Sequence, residues 1–289
     1  MIASRVHLTD EPQGDQGMRR PRGLLRSWIL GVALAGVLLP DATPQAAPCT
    51  FPSMVVTIPI GISYCMDPTF YPVIQSEIVK IRNEMKAQRE AGKLLAYSSV
   101  PISPRGGGHT GTNLDIAAAV KAKLEKEYGN GLWVLNPGEH QLSGVGGKSP
   151  GGAEYMVMWA TVIAGEDGSG KAFDLVHFLG PTDVRAFMGC TTGSIVSCVD
   201  RYVGVRAAAD PRFRQEIAEQ PDRRRQFIRF YAIRGSATYS LGAHDEWNIF
   251  VRINRKMPTG EQIPMYFDGR VVSPVEIERE ISPGYELEQ

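Results

Sequence analysis

The chain has 289 residues with 31 basic and 31 acidic side chains, a formal net charge of zero. A broad electrostatic attraction to a nucleic-acid polymer is therefore not expected. A hydrophobic fraction of 43% over this length is enough for one large domain with a substantial core, and no internal repeat or long low-complexity segment interrupts it.

The first 47 residues read as a signal peptide: Arg19, Arg20, Arg22 and Arg26 precede an apolar run from Trp28 to Leu39, then Pro40 and small residues to Ala47. That run is well short of the roughly twenty residues a bilayer-crossing helix needs, so cleavage and export to the periplasm or medium is the expectation. An uncleaved anchor is the alternative, and no stable membrane span is expected. Removing the segment takes five basic and four acidic residues with it, which leaves the rest nearly neutral.

Residues 48–92 read as an N-terminal disulfide loop followed by an amphipathic helix. All four cysteines follow Ala47, as expected for an exported protein, and they form two local pairs, Cys49 with Cys65 and Cys190 with Cys198. Four cysteines allow three connectivities; the local one is favoured because each pair flanks a short Gly- or Pro-containing segment that can double back. No metal site is expected, since neither pair has Cys-x-x-Cys spacing. Phe70, Ile74, Ile78, Ile81 and Met85 then recur at helical spacing up to Ala91, where Gly92 stops the helix.

Residues 93–200 read as an α/β core. Leu94–Val100 is a buried strand leading into Ser103-Pro-Arg-Gly-Gly-Gly-His-Thr-Gly-Thr112. Three successive glycines let backbone N–H groups approach a ligand, and the helix behind them adds partial positive charge. Thr112 is the expected cap of that helix, whose apolar face is Ile116, Ala119, Val120, Leu124 and Tyr128. A second strand at Leu132–Asn136, a glycine-rich loop over 137–152, a buried helix over Ala153–Ile163 and a third strand at Phe173–Leu179 follow. Gly180-Pro-Thr-Asp183 opens a short helix ending near Gly189.

Strand–helix alternation of this kind implies an open, mainly parallel three-layer α/β sandwich with right-handed crossovers. The loops at 103–112, 137–152 and 180–183 should then meet in one crevice at the strand C-terminal ends, where a small-molecule ligand would bind. Candidate ligand-binding residues are Arg105, Gly106, Gly107, Gly108, Thr110, Glu139 and Thr182, with His109, His140 and Asp183 beside them. Gly106-x-Gly108-x-x-Gly111 matches the letters of a dinucleotide fingerprint, but Asn136-Pro137 stands where a ribose-binding acid should end the second strand, and no cofactor is expected. Walker, His-Glu-x-x-His and calcium-loop signatures are absent.

Residues 201–289 read as a C-terminal helical extension packed on the core. Asp210-Pro211 starts one helix, and Phe227 to Ile233 with a closing Gly235 marks another. His244-Asp245-Glu246, beside apolar Trp247, Ile249, Phe250 and Val251, either lines the crevice or belongs to a helix that Asp245 caps. Phe267-Asp-Gly-Arg270 reads as a hairpin turn between short strands, and Ser273-Pro274 as a last helix start.

The run Leu94-Leu-Ala-Tyr-Ser-Ser-Val-Pro-Ile-Ser-Pro-Arg-Gly-Gly-Gly108, the second strand and Phe173-Asp-Leu-Val-His-Phe-Leu-Gly-Pro-Thr-Asp183 resemble the first half of nucleoside 2-deoxyribosyltransferase-like proteins, over residues 93–189. The resemblance implies a flavodoxin-like sandwich and a hydrolase or transferase whose carboxylate nucleophile opens an N-glycosidic bond. The family's nucleophilic Glu follows the third core strand; the nearest acid here is Asp183, and the Arg185-Ala-Phe-Met-Gly189 continuation departs from the family. On this reading Asp183 is the nucleophile and Glu154 or His109 the acid or orienting group. The alternative is a non-catalytic exported protein that binds a small ligand or a partner. The sequence does not specify oligomeric state.

Overall fold

The computed structural model describes residues 49–50 and 52–287; the expected signal peptide lies outside the described residues. Cys49 is joined to Cys65, which lies on the second strand of an antiparallel hairpin, β1 (Met54–Thr57) and β2 (Ser63–Met66). Helix α1 (Tyr71–Glu90) buries Ile74, Ile78, Ile81 and Met85, the stripe its sequence spacing predicts.

The main sheet begins with β3 (Leu94–Ser99), and α2 (Thr110–Tyr128) returns the chain to β4 (Leu132–Leu135). Helix α3 (Gly152–Ala164) then crosses to β5 (Leu175–Phe178) on the other side of β3. After β5 come α4 (Pro181–Phe187), α5 (Ile195–Ala209) and α6 (Pro211–Phe213), the last running into a π-helical stretch over Arg214–Ala218. Helix α7 (Pro221–Arg229) likewise continues as a π-helical stretch over Phe230–Arg234. The chain closes with α8 (Leu241–Lys256), β6 (Met265–Phe267), β7 (Arg270–Val271) and α9 (Pro274–Ile277).

Strand order is β4-β3-β5-β6-β7, parallel throughout except for the antiparallel β6–β7 pair. The fold is thus an α/β sandwich on a mainly parallel five-stranded sheet, with a disulfide-closed N-terminal segment and a helix-rich C-terminal region. Both faces of the sheet are apolar because alternate side chains point to opposite sides and each side is covered. Leu95, Tyr97, Val176, Phe178 and Met265 belong to the core shared with α1, α3 and α8. Ala96, Val134, Leu175 and Leu179 belong to the core shared with α2, α4, α5 and α7.

Three details differ from the sequence reading. The side chain capping α2 is His109, whose Nδ1 accepts from the Thr112 N–H at 3.1 Å, so the helix starts three residues earlier than a Thr112 cap would place it. The stretch after Cys190 holds a full helix, α5, capped by Ser194 and stapled to the end of α4 by the Cys190–Cys198 disulfide. The C-terminal region also extends the sheet, through β6 and β7, and places α8 in the core. Among the described residues, no helix is long and apolar enough to cross a membrane. Two disulfides suit an oxidising compartment outside the cytoplasm.

Candidate functional site

Helix α2, which follows β3, packs on one face of the sheet, whereas α3, which follows β4, packs on the other. The loops leaving these adjacent strands therefore diverge, and a crevice opens between them at the strand C-terminal ends. It is a cleft of about 570 Å³, walled by the loop after β3 (Val100–Arg105), by Gly151 and Gly152 at the start of α3, and by the first turn of α8. Tyr155, Trp159, Phe230, Tyr239 and Tyr285 line it with aromatic surface.

Among the described residues, Glu246 is the one acidic side chain lining the cleft and Arg105 the one basic side chain. Glu246 stands on α8, capped by Ser240 and not by Asp245, and it is 6% exposed. Its Oε1 accepts from the Tyr97 hydroxyl at 2.5 Å and its Oε2 from the Ser99 hydroxyl at 2.5 Å, both donors lying on β3. Tyr97 and Ser99 share a sheet face because they are two residues apart on a strand. Burial pushes the Glu246 carboxyl up to about 7, with the Asp245 charge adding to the rise and the Ser99 and Tyr97 hydroxyls opposing it. A carboxyl poised near neutrality within reach of a ligand is suited to acid–base or nucleophilic work.

The residues expected from sequence fall into two groups. Arg105 and Thr110 line the cleft, and the Arg105 guanidinium lies 5.5 Å from the centre of the Tyr285 ring. The others lie elsewhere. Gly107, at φ +107°, is covered by α7: a Cβ there would stand 2.8 Å from the Gln226 carbonyl oxygen. A Cβ at Gly108 would crowd the Phe230 ring at 3.2 Å and one at Gly106 would touch that ring at 3.7 Å, so the glycine run packs against the α7 segment and its π-helical continuation. His109 spends Nδ1 on its cap and turns Nε2 toward Glu216, at 3.4 Å, while burial lowers its pKa and Glu216 partly restores it.

Glu154 ties the α3 start to the N-terminal hairpin, accepting from the Gly151 and Asp67 N–H groups at 2.8 Å each. Glu139 pairs with Lys121 at 2.9 Å, and Thr182 donates its N–H and hydroxyl to Asp268. Asp183, 4% exposed, accepts from His177 Nε2 at 3.0 Å, from the Gly180 N–H at 3.2 Å and from Lys123 at 3.1 Å. Burial alone would raise its pKa, but these three donors outweigh it and hold the carboxyl below the usual aspartate range. It does not line the cleft. Of the three loops expected to converge, the first two do; the third turns with α4 toward the α2 side of the sheet.

Glu246 is 147 residues from Ser99 along the chain, and its one signal in the sequence is a polar triplet inside an amphipathic helix. No protein-family model matches the chain, and no curated protein or solved structure is significantly similar to it.

Proposed function

We propose that the protein is an exported enzyme, periplasmic or secreted, that cleaves or transfers at an N-glycosidic bond of a nucleoside-like substrate, with Glu246 as its working carboxylate. The observation that carries the reading is Glu246 itself: a buried carboxyl, raised toward neutrality, inside a cleft walled by aromatic rings at the carboxyl edge of a parallel sheet. Aromatic walls suit a flat base, which they can hold by offset stacking. Supporting it are the resemblance of residues 93–189 to nucleoside 2-deoxyribosyltransferase-like proteins and the two disulfides with the signal-like N-terminus.

As a carboxylate, Glu246 would attack or stabilise the anomeric carbon as the C–N bond breaks and its electron pair leaves with the base. Water or an acceptor base then takes the glycosyl group and releases the carboxylate, and the proton lost by that acceptor balances the one gained by the leaving base. The Tyr97 and Ser99 hydroxyls hold the carboxylate in place and limit its rotation.

A second reading, a non-catalytic ligand-binding protein, draws on one observation: both Glu246 oxygens are already engaged by side chains of β3. The two readings separate when the purified protein, disulfides intact, is incubated with a panel of nucleosides and nucleotides and released base is followed by chromatography. Release that disappears in Glu246→Gln supports the enzyme. Ligand stabilisation in a thermal-shift panel without any release supports the binder.

A further inference from the structure

We infer that the C-terminal strap, residues 278–287, is the gate of the cleft, docked on α8 as a unit that can lift away without unfolding the helix beneath it. The inference rests on the reading of the cleft as the ligand site, because the gated residue is Tyr285, which forms part of the cleft wall.

The strap has almost no backbone ladder of its own. One bridge pairs Tyr64 with Glu286, and the Leu287 N–H donates to the Ser63 carbonyl. Apart from the turn bond from the Arg279 N–H to the Glu276 carbonyl, its remaining hydrogen bonds and ion pairs run to side chains of α8. Asp245 accepts from the Gly284 N–H at 2.6 Å and the Tyr285 N–H at 2.8 Å. Asn248 grips both backbone groups of Ile281, at 2.8 and 2.9 Å. The Trp247 indole donates to the Arg279 carbonyl, and Arg252 pairs with Glu280 and Glu286. These anchors belong to one helix whose other side is buried against α3 and the sheet, so releasing them costs the strap's own contacts, including those of the Tyr285 ring with the core edge, while α8 stays packed on α3.

The docked strap is fitted closely over the cleft. A Cβ at Gly152 would stand 2.0 Å from the Tyr285 ring, and one at Gly284 would stand 1.9 Å from the Leu241 carbonyl oxygen. Two glycines thus let the strap lie flat across the starts of α3 and α8, with Arg105 against the outer ring of Tyr285. Lifting it removes one aromatic wall and uncovers Gly152, which opens a path for a flat ligand; redocking returns Tyr285 against that ligand.

Hydrogen exchange on the full chain tests this, because the Ile281, Gly284 and Tyr285 amides each donate to an α8 side chain. In the wild-type protein these three should exchange together, through an opening whose rate is nearly independent of low denaturant, while the α8 interior amides exchange only with global unfolding. In Asn248→Ala, Gly284 and Tyr285 should exchange about tenfold faster although their own acceptor, Asp245, is untouched. Exchange of the strap at the same rate and denaturant dependence as α8 would overturn the gate. So would acceleration confined to Ile281, and the wild-type comparison decides the matter if the variant does not fold. No ligand enters the measurement, so its outcome is separable from that of the base-release assay.

Discussion

Replacing Glu246 by Gln removes a titration that the fold has displaced, and the size of the effect follows from the structure. The carboxyl is moved from an ordinary 4.5 to about 7 by burial, at a position 6% exposed. A group whose folded pKa lies above its unfolded value contributes stability that is fully present below the unfolded pKa and is lost as pH rises through the folded one. The window here runs from pH 4.5 to about 7, and a shift of this size corresponds to about 3 kcal/mol. Denaturant unfolding of wild type and Glu246→Gln at pH 4.5 and pH 8 provides the assay. The variant should gain about 3 kcal/mol on the wild type between the two pH values. Asp245, raised to about 6 mainly by burial, titrates in the same window in both proteins, so the comparison reads the Glu246 titration together with its coupling to Asp245. A wild-type-to-variant difference that does not change with pH would refute the argument that Glu246 is held near neutrality.

Asp183→Ala should unfold with about 3 kcal/mol less stability, since His177 loses its buried partner, while turnover per folded molecule is retained; chemical denaturation together with the activity assay checks both halves. Because the Asp183 pKa is depressed, its contribution in the wild type should be present above the ordinary aspartate pKa and fade as pH falls through the lowered value. Gly107→Ala should lower stability by about 2 kcal/mol, because it combines a φ of +107° with a Cβ placed against the Gln226 carbonyl, and thermal unfolding reads the loss. Replacing Cys49 and Cys65 together by Ser should cost about 3 kcal/mol and lower the melting temperature by roughly 6–12 °C, measured by calorimetry.

The sheet was legible because its strands are short apolar runs separated by helices with plain 3.6-residue stripes, as in Ile74, Ile78, Ile81 and Met85. Helix α5 was not, because its buried Cys198, Val199, Val203 and Ala207 follow a disulfide and a Thr-Thr-Gly-Ser turn that read as a closed loop. The β6–β7 hairpin was legible from its Asp268-Gly269 turn, but β6 spans three residues, and its place in the main sheet is defined only by pairing with β5. At the site, the position of the crevice followed from topology, but its carboxylate did not. The glycine run signals close backbone approach and cannot say whether a ligand or α7 makes it. Glu246 meets Tyr97 and Ser99 only after α8 has folded back across the sheet, a contact that local sequence does not encode.

The measurement that bears most directly on the account is nucleoside base release per folded molecule by Glu246→Gln and Asp183→Asn, side by side with wild type. The account predicts base release by the wild type, retention by the Asp183 variant and loss by the Glu246 variant, with the sheet intact in all three by circular dichroism. Base release that persists in Glu246→Gln, or that vanishes only in Asp183→Asn, would contradict it.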